Sequence, residues 1–69
     1  MLTELIKWFD GWIKGTKELI DHVEKLKELA EESKTLDEFK KKAEEYVKDC
    51  GLLDFELKAI VDDAINDVY

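Results

Sequence analysis

Sixty-nine residues carrying eighteen Asp and Glu against eleven Lys, no Arg and a net charge of -7 exclude several roles at once. The length allows one domain, and an acidic chain without the forked guanidinium is poorly equipped for direct contact with DNA or RNA. A single cysteine, Cys50, and a single histidine, His22, exclude an internal disulfide and fall short of a structural zinc site, so stability must come from regular helix packing or self-association.

Apolar residues recur at 2, 5, 9, 12, 19, 23, 26 and 30, the three-and-four spacing that lays one stripe along a helix. Only Thr16 interrupts the stripe, and Ile6, Ile13 and Ile20 broaden it. The pattern predicts a long amphipathic first helix from residue 2 to about residue 32. Gly11 and Gly15 lie off the stripe, and each lowers helix stability by about 1 kcal/mol relative to Ala. The preserved phase favours a continuous helix of about 30 residues and about 45 Å. The alternative is a kink or break within 11–16, with Gly15 as C-terminal cap and Thr16 as N-cap.

Ser33-Lys34-Thr35 ends the pattern, and Thr35-Leu36-Asp37-Glu38 has the form of a capping box, Thr35 at the N-cap and Glu38 at its third position. A second helix over 36–50 turns Leu36, Phe39, Ala43, Tyr46, Val47 and Cys50 to one side. On the other side Glu38 and Lys42, Lys40 and Glu44, Lys41 and Glu45, and Glu44 and Lys48 stand one turn apart, close enough to pair. Among these acidic neighbours the Lys40-Lys41-Lys42 run reads as a solvated helix face. Gly51 supplies a C-terminal stop, with Leu52 packing back on Val47. Asp54 is the expected N-cap of a third helix over 55–68, which buries Leu57, Ile60, Val61, Ala64, Ile65 and Val68. The expected fold is all-α: a small helical bundle in one domain, 1–69, built from a long N-terminal helix and an antiparallel helical hairpin (36–50, 55–68).

That hairpin covers only half of a continuous first helix. It leaves Leu5, Trp8, Phe9, Trp12 and Ile13 bare as a surface for a protein partner or a second copy. If the chain instead folds back at Gly15, the same residues fill the core. The leading expectation is a small acidic interaction module that binds a protein partner, or forms a homodimer or other homo-oligomer, through this aromatic face. A Lys-rich, Arg-free acidic chain would suit a phage or mobile-element inhibitor of a host protein. Asp62, Asp63 and Asp67 cluster near a helix C-terminus, where negative charge is unfavourable. They support an alternative, a nucleic-acid-mimicking decoy using the acidic surface of the first and third helices. A designed or purely structural bundle without ligand is the remaining reading.

Enzymatic chemistry is not expected. Cys50 falls at a packing position, His22 flanks the first helix without a second histidine to share a metal, and the acidic cluster lacks EF-hand spacing. No phosphate loop, catalytic carboxylate pair or Ser/His/Asp set occurs, so neither cofactor nor metal is expected. No stretch approaches the roughly 18 apolar residues of a membrane span. The N-terminus lacks a signal-peptide pattern, and its cancelling charges give little attraction to a membrane surface. A cytoplasmic location with a reduced thiol is the corresponding expectation.

Overall fold

The computed structural model describes residues 2–16, 18–51 and 54–69, without the side chain of Asp54. Within these residues stand four α-helices, α1 (Thr3–Gly15), α2 (Ile20–Glu32), α3 (Leu36–Asp49) and α4 (Asp54–Val68). They form a small all-α bundle of 28 × 26 × 19 Å. The helices close a ring, in which α1 packs on α2 and α4, and α3 packs on the same two.

The continuous first helix favoured by the heptad phase is thus two helices. The corner uses neither of the capping roles expected of Gly15 and Thr16. Gly15 is the last residue of α1 and does not turn left-handed. Thr16 keeps helical angles (φ -90, ψ -36) and gives its N–H to the Trp12 carbonyl at 2.8 Å. Among the described residues of the corner the left-handed one is Leu19 (φ 52, ψ 36), the N-cap of α2, which makes no side-chain capping bond. A side chain in that conformation costs about 1–2 kcal/mol, and packing of half-buried Leu19 against the core opposes that cost. The Trp12 indole N–H bonds the Glu18 carbonyl at 3.0 Å and so satisfies a backbone acceptor in the broken stretch.

Phase misled because it records which side of a helix is apolar and not which way the chain runs. In a hairpin both helices turn the same stripe towards a common centre. Folding back encloses Leu5 and Phe9 completely, together with Val23, Leu26 and Ala30 of α2. Burying a large apolar side chain contributes about 1.5–3 kcal/mol, and a straight helix would hold Gly15 in its interior at a cost of about 1 kcal/mol, whereas Gly11 is helical in either arrangement.

The second half follows the sequence closely. Thr35 Oγ1 accepts the Glu38 N–H at 3.2 Å, as a capping box requires, but Glu38 Oε2 takes the N–H of Lys34 at 3.4 Å, one residue ahead of the N-cap. That backbone bond, followed by the Lys42 ammonium, holds the Glu38 carboxyl below its ordinary value. Glu38–Lys42 (3.3 Å) and Glu44–Lys48 (3.7 Å) form ion pairs. Both run from Glu to Lys along the chain, the orientation that helices favour. Lys40–Glu44 and Lys41–Glu45 run the other way and make no ion pair among the described residues. Gly51, at φ 64, ends α3 as expected. The packing of Leu52 and the capping role of the Asp54 side chain lie outside what is described.

Phe39, Ala43 and Val47 of α3 and Leu57, Ile60, Val61 and Ala64 of α4 complete the core. The Phe9 and Phe39 rings meet across its centre at 5.9 Å and 48°. Ser33, buried between α2 and α3, gives its hydroxyl to the Leu29 carbonyl at 2.7 Å and so carries no orphan polar group into the interior.

Candidate functional site

The aromatic face expected on the first helix is largely internal. Leu5 and Phe9 are fully enclosed, so no partner can reach them in the folded chain. Trp8, Trp12 and Ile13 are half-buried against the same core. Trp8 stacks on Trp12 (5.6 Å, 22°) and meets Phe9 edge-on (5.5 Å, 90°). Both indole N–H groups are satisfied within the molecule, Trp8 by Asp67 Oδ2 at 2.9 Å and Trp12 by the Glu18 carbonyl. These residues therefore clasp α1 to α4 and to the corner after α1. Asp10 adds a tie to α2, bonding Lys14 at 2.9 Å and Lys27 at 3.5 Å. The Lys14 bond, first, and the charges of both lysines hold its carboxyl below the ordinary value.

Asp62, Asp63 and Asp67 are all exposed. Asp67 accepts the Trp8 bond, so one of the three contributes to the fold. A second acidic stripe, Asp21, Glu24, Glu28 and Glu31, lines the exposed side of α2. The ring places α2 and α4 at opposite corners. The single acidic surface expected from the first and third helices is consequently divided in two.

His22, Tyr46 and Cys50 come together between α2 and α3, a grouping that spacing along the chain does not suggest. Burial, chiefly, and the Cys50 thiol hold the Tyr46 phenol above its ordinary value of 10.0. Its hydroxyl and His22 Nδ1 share a hydrogen bond at 2.8 Å. Cys50 Sγ stands 3.8 Å from the same nitrogen. Tyr46 Oη and Cys50 Sγ thus converge on one ring nitrogen of His22. The trio acts as a polar tie between α2 and α3. No group of three or more His, Cys, Asp or Glu among the described residues has metal-binding geometry.

The open apolar surface lies elsewhere. Phe55 is 89% exposed and Tyr69 63%, the two large hydrophobic side chains left in solvent among the described residues. Both fall on the outward stripe of α4, Phe55, Lys58, Ala59, Asp62, Asn66 and Tyr69, every member of it exposed. Tyr69 continues the helix through its N–H bond to the Ile65 carbonyl at 2.9 Å. A depression of about 340 Å³ lies on this stripe between Phe55, Lys58, Ala59 and Asp62. Beside it runs a groove of about 430 Å³ between α3 and α4, floored by Ala43, Val47 and Val61 and rimmed by Lys40, Lys48 and Lys58 together with Glu44 and Asp62. The stripe was legible at helical spacing opposite Leu57, Ile60 and Ala64, but attention to the apolar phase passes over aromatics that lie outside it.

None of the described helices is long and apolar enough to cross a membrane. Comparison with protein-family models, curated proteins and solved structures yields no match.

Proposed function

We propose that this protein is a small acidic interaction module, not an enzyme, that docks a protein partner through the outward face of α4 and the adjoining α3/α4 groove. One observation carries the reading: Phe55 and Tyr69, the large apolar side chains left in solvent among the described residues, share a single stripe. A phenylalanine held in water adds nothing to this fold, while aromatic side chains are frequent anchors of interfaces. The groove sets Lys40, Lys48 and Lys58 beside Glu44 and Asp62, a mixed rim that suits a partner carrying both signs of charge around an apolar anchor.

This reading moves the docking face from Leu5, Trp8, Phe9, Trp12 and Ile13 on α1 to α4. The internal hydrogen bonds of both indoles favour that move. A nucleic-acid-mimicking decoy draws less support, because the acidic stripes of α2 and α4 face apart and Lys58 interrupts the second.

Immobilised wild-type and Phe55→Ser chains, presented with the same cell extract and compared by quantitative mass spectrometry, test the proposal. The expected result is a partner held by wild type and by Glu24→Gln on α2, and lost by Phe55→Ser. An identical set of bound proteins on wild type and Phe55→Ser would remove α4 as the docking face.

A further inference from the structure

We infer that the occupant of this face is a second copy of the same chain, docked with α4 antiparallel to α4 about a two-fold axis. The inference rests on the docking face proposed above and supplies its partner. The outward stripe of α4 is complementary to itself when reversed. Phe55 and Lys58 lie in its N-terminal half, Asp62, Asn66 and Tyr69 in its C-terminal half, and Ala59 near its middle, where a small side chain lets two helices approach. With the axis near Ile60, Lys58 faces Asp62 and Asp63 of the second copy, and the reciprocal contacts follow from symmetry. Phe55 then falls within one turn of the second copy's Ile65, Asn66 and Tyr69. A parallel arrangement would set Lys58 against Lys58 and Asp62 against Asp62, so charge selects the antiparallel one.

The surroundings agree with this register. In sequence α4 carries Asp54, Glu56, Asp62, Asp63 and Asp67 against the single Lys58. The groove beside it presents Lys40 and Lys48 from α3, the latter paired with Glu44 at 3.7 Å, so an acidic helix laid on the α4 face meets these lysines on a flank of mixed charge. A standard interface takes about 800 Å² from each partner, roughly a sixth of the 4636 Å² surface of this chain. A contact confined to one helix face and its adjoining groove is expected to form a reversible dimer whose population follows concentration.

Light scattering on the full chain from about 1 µM to about 1 mM brackets the affinities of such an interface. Wild type should rise from 8.1 kDa towards twice that mass. Phe55→Ser should weaken association at least tenfold. Lys58→Asp and Asp62→Lys should each remain monomeric, because each sets like charges face to face. Their equimolar mixture should recover the doubled mass, since one chain then presents acids at 58 and 62 and the other lysines. All three positions are exposed, and circular dichroism of each variant checks that it folds. Wild type still at 8.1 kDa near 1 mM would overturn the dimer while leaving selective capture through Phe55 intact. A dimer undisturbed by Phe55→Ser and both charge variants would overturn the α4 face itself. Failure of the mixture to recover the doubled mass would overturn the antiparallel register.

Discussion

Gly11 and Leu19 show how a residue's worth depends on the backbone beneath it. Gly11 is helical and exposed, and a Cβ added there would meet nothing within 4 Å. Gly11→Ala should stabilise the chain by about 0.5–1 kcal/mol by restricting the unfolded state and strengthening the helix. Thermal melts should show a midpoint raised by about 2–8 °C, and an unchanged midpoint would count against a helical, unobstructed Gly11. Leu19 is the opposite case, a leucine where glycine would relax more easily, kept there by its packing against the core. Asp10 links residue to pH. Its folded-state carboxyl lies below the ordinary 3.8, so its stabilisation is present above that value and is lost as pH falls through the lower folded value. Asp10→Asn should therefore flatten the fall in denaturation midpoint below about pH 4, a slope that urea titrations at stepped pH measure directly. None of the partners that give Asp10 and His22 their roles across the fold could be read from the chain. Lys27 and Tyr46 reach them only because α2 folds back on α1 and α3 on α2.

At the scale of elements, α3 was the most legible and the boundary between α1 and α2 the least. The start of α3 depends on Thr35, whose hydroxyl oxygen satisfies a backbone donor that nothing else in the described structure meets. Thr35→Ala should cost about 1 kcal/mol, and Thr35→Ser should retain most of it. Chemical denaturation of the two variants side by side separates loss of the cap from any other effect of trimming the side chain. Local chemistry of this kind needs only neighbours within four residues, which is why the sequence shows it. The α1/α2 corner has no such signature. Its left-handed residue is a leucine, its N-cap makes no side-chain bond, and the indole that satisfies the Glu18 carbonyl comes from the helix before. The expectation of one long helix went wrong where local signals were silent and core closure decided.

For the whole molecule, the charge of -7 sits on a chain that fits within 28 × 26 × 19 Å. Self-repulsion should outweigh the surface ion pairs, which are exposed and individually weak. Raising sodium chloride from about 10 mM to about 150 mM, which shortens the screening length to about 8 Å, should therefore raise the thermal midpoint. A fall would show that ion pairs such as Asp10–Lys14 and Glu38–Lys42 outweigh the repulsion. The ring of helices also sets what remains available for contact. It encloses Leu5 and Phe9, turns the acidic stripes of α2 and α4 to opposite corners, and leaves the Phe55 to Tyr69 stripe facing outward.

The helical class, the core-facing side of each helix, the cap at Thr35 and the stop at Gly51 are all written in the order of the residues. Each of these follows from the 3.6-residue repeat or from bonds within a single turn, which a linear chain specifies locally. Only the packing of the helices on one another settles that the first thirty residues form a hairpin, that the half-buried tryptophans clasp α1 to α4 and to the corner after α1, and that Phe55 and Tyr69 on α4 stay in solvent. Those outcomes turn on how much apolar surface one helix can hide against another. That quantity is not defined for any segment until the others are in place.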